Sequence, residues 1–201
     1  MKRLIEVVDL WAAVLLVPIW AAATPPRVAE GWAYVDGLYG EWNLITDFFA
    51  NMYRAGTPTK LLESKLYLRY SCKTMKMYAL VIVEPGHVGY IDPVSVTSWI
   101  AINSLNSKVV NQNTGNNGIA PDFAWVGRGF DGNQAHVLGY EASFPITMGS
   151  YIILAHLAIW DISAQTSSTI GLPGSGPALV VPDCSVGVES STWGAVKELY
   201  R

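Results

Sequence analysis

Hydrophobic and polar residues alternate strictly along residues 64–70, which form the clearest periodic pattern in the chain. One face of this segment holds Leu66, Leu68 and Tyr70, and the other holds Lys65, Tyr67 and Arg69. A period of two residues predicts a β-strand with one buried face. The nearly continuous apolar run 77–83 follows after a short turn and predicts a buried strand. Together the two segments predict a β-hairpin.

Short apolar segments separated by turn-forming residues continue through most of the chain. The segments predicted as strands are 98–103, 108–111, 122–126, 139–144 and 151–160. The connections between them are rich in Asn, Gly and Pro, as in 111–118 and 127–133. Short strands with this turn chemistry predict an all-β fold, an antiparallel β-sandwich of jelly-roll-like type. Only Leu44, Phe48 and Met52 have helical spacing, which predicts about two turns of helix over 44–52.

The two ends of the chain differ in composition from its middle. Lys2 and Arg3 precede an uncharged apolar run from Leu10 to Ala23, the layout of a secretory signal peptide over residues 1–23. The alternative interpretation is an N-terminal helix of the domain. Residues 24–165 are then the sandwich domain, and 166–201 are a flexible linker and C-terminal tail rich in Ser, Gly and Pro. No other stretch is long and apolar enough to cross a membrane.

Composition narrows the class of protein. The 201 residues suit one domain, and 51 % hydrophobic against 14 % charged residues provide a core and exclude a disordered chain. The net charge of −3, with no basic block, argues against nucleic-acid binding. Together with the signal-peptide layout of residues 1–23, this leads us to expect a protein that is secreted and either extracellular or held at the cell surface.

Cys72 and Cys184 are the only cysteines. An exported chain tends to pair its cysteines, which favours a disulfide between them. Two buried free thiols are the alternative. The spacing of cysteines and histidines does not fit a zinc site.

Catalytic chemistry has little support in the sequence. None of the serines lies in a G-x-S-x-G motif, and His87, His136 and His156 have no evident partners for a nucleophilic triad. The carboxylates are scattered, and Glu141 is expected to point outward from a half-solvated strand. We therefore predict that the chain is not an enzyme.

Calcium is the ion that the loop chemistry favours. Calcium binds six to eight oxygens, which Asp, Glu and Asn in glycine-containing loops supply. The candidate ligands are Asp36, Glu41, Asp131 and Asn133. An ordinary turn explains residues 131–133 equally well.

Eight Trp and ten Tyr are many for a chain of this length, and they serve either as core or as a surface for stacking. Trp99 and Trp125 lie in apolar strands, where the core is the expected place for them. Tyr67 lies between Lys65 and Arg69 on the polar face, and Phe130 lies in a loop. Tyr67, Trp99, Trp125 and Phe130 are the candidate ligand-binding residues.

Four segments in order resemble secreted bacterial domains of the family 9 carbohydrate-binding-like, DOMON-like β-sandwich group. They are Asp36-Gly37 with Gly40-Glu41-Trp42, residues 65–70, residues 77–83 and residues 139–145. The resemblance spans residues 34–161 and implies a non-catalytic secreted sandwich that binds sugars or a haem-like ligand, in some cases with structural calcium. Asp36, Glu41 and Trp42 match the opening motif, and Glu141 matches its carboxylate. Ser71 stands where related domains tend to have Asp.

Two functions follow as hypotheses. The first is a carbohydrate-binding-like module that contacts a polysaccharide or glycan surface and presents exposed aromatic residues. The alternative is a structural or adhesive surface protein that assembles with itself or another surface protein, through sheet edges or its C-terminal tail.

Overall fold

A computed structural model describes residues 28–55, 61–131, 134–160, 165–170, 178–181 and 184. The predicted signal peptide lies outside these residues, as does most of the predicted linker and tail. Every regular element in the described residues is a strand. The strands are β1 (Ala29–Glu30), β2 (Phe48–Arg54), β3 (Leu62–Ser71), β4 (Lys76–Val83), β5 (Val88–Tyr90), β6 (Trp99–Ile102), β7 (Lys108–Asn111), β8 (Asp122–Val126), β9 (Gly129–Asp131), β10 (Gln134–Val137), β11 (Gly139–Pro145), β12 (Gly149–Trp160), β13 (Gln165–Ile170) and β14 (Ala178–Val181).

The strands form two layers with the main core between them. The first layer has the order β8-β11-β4-β3-β2, and the second is built around β12, which pairs with β5, β6, β13 and β14. The β2–β13 pairing connects the two layers, and every pairing is antiparallel except that of β1 with β3. The all-β prediction is therefore confirmed, while the jelly-roll-like arrangement stays a prediction.

The alternation of residues 64–70 correctly predicts which face of β3 is buried. Leu66, Leu68 and Tyr70 are at most 1 % exposed and belong to the main core. This core also contains Ile153, Leu157 and other inward residues of β12, so it lies between the two layers.

Residues 44–52 do not form the predicted helix. Residues 44–46 form a turn, and β2 begins at Phe48 and pairs with β3. The free edge of β3 provides hydrogen-bond partners for this segment, and the aromatic residues of β2 favour a strand. Leu44 and Phe48, which shared the predicted helix face with Met52, remain exposed while Met52 is fully buried.

Two strands lie in the segment expected to be linker and tail. β13 and β14 both pair antiparallel with β12. Beyond them, Cys184 forms a disulfide with Cys72, with the two Cα atoms 5.4 Å apart. No helix in the described part of the chain is long and apolar enough to cross a membrane.

Candidate ligand-binding site

Residues 31–47, here called the cover segment, lie across the outer face of the first layer. Ala33 and Trp42 of this segment pack against Tyr67, Tyr78 and Leu80 in a second buried cluster. The sheet face that alternation predicted to be solvated is therefore covered by irregular chain. The packing of the cover segment on this face brings several of its side chains close to β3 and to the end of β4.

Glu141 fastens the cover segment to the sheet. Its Oε1 accepts a hydrogen bond from the Trp42 indole Nε1 at 2.8 Å, and its Oε2 accepts bonds from the backbone N–H groups of Gly37 at 2.9 Å and Asp36 at 3.2 Å. Glu141 does lie on the outer face of the first layer, but it is fully buried, so the expectation that this position is solvated is wrong. Its position on β11, paired with Leu80 and Ala124, places it beneath the cover segment rather than in solvent.

Gly37 allows this close approach. It has a φ of +83°, and a Cβ atom at this position would lie 2.4 Å from the Trp125 carbonyl oxygen. Only glycine combines the left-handed conformation with contact at this distance. The Gly in the Asp36-Gly37 motif therefore has a steric role.

Arg69 also attaches the cover segment to the sheet. Its guanidinium bonds to the Asp47 carboxylate at 2.7 Å and to the carbonyl oxygens of Trp32 at 3.2 Å and Glu41 at 2.7 Å. The same group lies 5.0 Å from the centre of the Trp42 ring. A planar cation with several fixed donors is suited to such a junction. Glu141 and Arg69 together determine where the cover segment lies.

A groove of about 470 Å³, here called the Tyr39 groove, lies beside the cover segment. Tyr39 and Leu44 of the cover segment form one wall, and the turn from Glu84 to His87 forms the other. The floor includes residues of β3 and β4, with Lys65 and Tyr67 among them. The groove therefore combines aromatic rings with polar groups on the face of a sheet.

The two oppositely charged side chains of the groove, Lys65 and Glu84, are paired with each other. Lys65 Nζ lies 2.7 Å from Glu84 Oε1, and hydrogen bonding to Glu84 raises the pKa of Lys65. Burial raises the pKa of the Tyr67 phenol, which therefore stays neutral at physiological pH. The groove thus presents a compensated ion pair, phenol groups and the imidazole of His87 rather than a strong net charge.

A second groove of about 520 Å³ lies near Arg69, with Trp32 and Asn43 in its lining. Trp32 is 55 % exposed and meets Tyr34, which is 63 % exposed, edge to face at 4.7 Å. The cover segment therefore presents an exposed aromatic ring to each groove, Tyr39 to one and Trp32 to the other.

The predicted ligand-binding aromatics do not come together. Tyr67 is only 5 % exposed, so the expectation that its ring lies on a solvated face is wrong, although it contributes to the groove floor. Trp99 is 7 % exposed and stacks on His156 on the outer face of the second layer. Trp125 packs against Phe123 and Tyr140 of the first layer. The side chain of Phe130 lies outside the described part of the structure.

The predicted calcium ligands have other partners where they can be seen. Asp36 Oδ1 accepts the Leu38 N–H at 2.8 Å, and Glu41 Oε1 accepts the Tyr34 N–H at 3.0 Å. The Asp131 side chain and Asn133 are not among the described residues. Within the described residues, no three His, Cys, Asp or Glu side chains gather where they could hold a metal. Calcium binding stays a prediction.

The exposed residues of the site were missed by sequence reasoning. Trp32, Tyr34 and Tyr39 lie within or beside the motif 36–42, but their segment has no periodicity that assigns a face. The signal available in the sequence was the high density of aromatic residues around that motif. The family resemblance accounts for the motif but not for these aromatic residues.

Two other features of the molecule are less suited to binding. A cavity of about 400 Å³ has an almost wholly apolar lining that includes Met75, Phe144 and Ile146. Few polar groups are present there to orient a ligand. The rings of Tyr90, His136 and Trp160 meet on the second layer, but each of them is less exposed than Tyr39 or Trp32.

Comparisons of the chain with protein-family models, curated proteins and solved structures found no match.

Proposed function

We propose that this chain is a secreted, non-catalytic module that binds a saccharide chain in the Tyr39 groove. The observation that carries the proposal is the position of the partly exposed Tyr39 ring beside the hydrogen-bonding Lys65–Glu84 pair. Sugars have apolar C–H faces that pack on aromatic rings and hydroxyl groups that need donors and acceptors. Open sites lined by aromatic and a few polar groups match both requirements.

The charges of the groove favour a neutral saccharide. Lys65 is the cation of the lining, and Glu84 balances it at 2.7 Å. An acidic polysaccharide would have to compete with Glu84 for Lys65 and would be repelled by the negative charge of Glu84. A neutral hydroxyl can instead donate to Glu84 and accept from Lys65. The signal-like N-terminus and the Cys72–Cys184 pairing support an extracellular location.

The test is adsorption of the purified protein to insoluble cellulose, xylan, chitin and starch, with and without a calcium chelator. We expect one polymer to deplete the protein selectively. Tyr39→Ala should weaken that adsorption about tenfold, equivalent to about 1.4 kcal/mol. Tyr34→Ala is the matched control, because Tyr34 is an exposed tyrosine of the same segment that does not line the groove.

Equal adsorption by wild type and Tyr39→Ala would contradict the proposed groove. Absence of adsorption to all four polymers would contradict the proposal that the chain binds a neutral polysaccharide. If sedimentation then showed self-association, the structural or adhesive function would be preferred. Loss of adsorption with chelator would indicate an ion near the groove.

A further inference from the structure

One buried carboxyl group contacts both ends of the loop that carries Tyr39. Glu141 Oε2 accepts the backbone N–H groups of Asp36 and Gly37, which precede Tyr39. Glu141 Oε1 accepts the indole N–H of Trp42, which follows it. The loop between these contacts is closed by the Trp42 N–H, which bonds to the Tyr39 carbonyl oxygen at 3.1 Å. Tyr39 is therefore held between two points that share one side chain.

Glu141 itself does not line the groove. It lies beneath the cover segment at 0 % exposure, whereas Tyr39 is 37 % exposed at the groove wall. Leu44, the other wall residue of the cover segment, follows two residues after Trp42. The position of both wall residues thus depends on bonds that Glu141 makes out of reach of a ligand.

We infer that Glu141 is a positioning residue for saccharide binding, which holds the Tyr39 wall against the sheet through Asp36, Gly37 and Trp42. This inference rests on the proposed function of the Tyr39 groove. It assigns the Trp42 indole a specific role as the donor that fixes the far end of the loop. It also explains why the cover segment brings two main-chain N–H groups to one carboxylate.

Glu141→Gln is the substitution that separates this role from simple burial. The Gln side chain has nearly the same shape but has only one oxygen, and its –NH₂ group accepts no hydrogen bond. In either orientation, the –NH₂ group faces N–H donors, at Trp42 or at Asp36 and Gly37. The loop must then shift or leave buried donors unpaired, so the Tyr39 wall should loosen while the strands remain.

Asp122→Asn is a matched control. Asp122 is a carboxylate of β8 with 1 % exposure, and it accepts the N–H groups of Asn117 at 3.0 Å and Gly118 at 2.8 Å. Its substitution removes a buried carboxylate that fastens a different loop, none of which lines the Tyr39 groove. If the substitutions act only by lowering stability, both variants should be affected. If Glu141 holds the groove wall, only Glu141→Gln should change the groove.

The experiment combines amide hydrogen exchange with adsorption on cellulose, xylan, chitin and starch, both at about pH 8, where Glu141 is ionised in wild type. We expect exchange over residues 36–42 to be at least tenfold faster in Glu141→Gln than in wild type and unchanged in Asp122→Asn. Adsorption to the polymer that retains wild type should be about tenfold weaker in Glu141→Gln and unchanged in Asp122→Asn. Trp42→Phe, which removes the indole donor, should weaken adsorption, and combining it with Glu141→Gln should add little further loss.

The possible failures are distinguishable. Unchanged exchange over 36–42 in Glu141→Gln would overturn the inference directly, whatever the polymers show. Faster exchange with no effect of Tyr39→Ala on adsorption would overturn the proposed function and, with it, the role in binding. Faster exchange, weaker adsorption of Tyr39→Ala and normal adsorption of Glu141→Gln would overturn the inference alone.

Discussion

The carboxyl group of Glu141 is buried among apolar groups, and its protonation is therefore coupled to folding. Burial raises its pKa to about 7, and the charge of Glu41 acts in the same direction. The hydrogen bonds from Trp42, Gly37 and Asp36 oppose the shift, because they favour the ionised form. Desolvation has the larger effect on this side chain.

The first prediction concerns stability against pH at this residue. Between pH 4.5 and about 7, the folded protein keeps the Glu141 proton that the unfolded chain has lost. The free energy of unfolding should therefore fall as pH rises through this window, by at most about 3 kcal/mol from this group. Urea unfolding at several pH values measures it. Glu141→Gln should flatten the slope, and a slope equal to that of wild type would contradict the assignment.

At the scale of the element, β3 shows how one strand carries two different kinds of ion pair on the same face. Lys65 and Glu84 are 33 % and 23 % exposed, so solvent screens their attraction. Arg69 and Asp47 are 13 % and 3 % exposed, and Arg69 also holds two carbonyl oxygens of the cover segment. The position of the cover segment on β3 explains the difference.

The second prediction exchanges the cations of these pairs. Arg69→Lys should lower the free energy of unfolding by about 1–3 kcal/mol, since an ammonium group cannot reproduce the planar set of bonds. The reciprocal change Lys65→Arg should alter it by less than about 1 kcal/mol. Chemical denaturation of both variants provides the comparison. Equal effects at the two positions would show that Arg69 does not hold the cover segment.

Periodicity predicted strands where one face is buried against the core. Residues 64–70 and 77–83 lie within β3 and β4, and 108–111 and 122–126 match β7 and β8. The same reasoning failed at 44–52, where pairing with β3 outweighed helical spacing. It also failed for Tyr67 and Glu141, because alternation identifies two faces but does not show that irregular chain covers the outer one.

The candidate site was less predictable than the strands for a related reason. Tyr39 and Leu44 lie in a segment without regular structure, whose course depends on contacts with residues distant in sequence. Glu141 is 99 residues from Trp42, and no local pattern connects them. The family resemblance brought residues 36–42 and Glu141 together as matched positions, but it did not specify their hydrogen bonds.

At the scale of the whole molecule, the two layers are connected by the chain and by a covalent bond. The β2–β13 pairing joins them at one edge. Cys72 follows β3 of the first layer, and Cys184 follows β14, which pairs with β12 of the second. The disulfide therefore fixes the end of the described chain to the first layer.

The last prediction is that this bond contributes a large part of the stability of the protein. It links residues 112 positions apart, so it restricts a long loop in the unfolded chain. Replacing both cysteines by serine should lower the free energy of unfolding by about 3–5 kcal/mol, measured by urea denaturation. In denaturant without reductant, the wild-type chain should take up no iodoacetamide, and after reduction it should take up two equivalents, one for each cysteine. Uptake of two equivalents before reduction would show that the cysteines are free thiols. An unchanged free energy of unfolding in the double variant would show that the bond contributes little to stability.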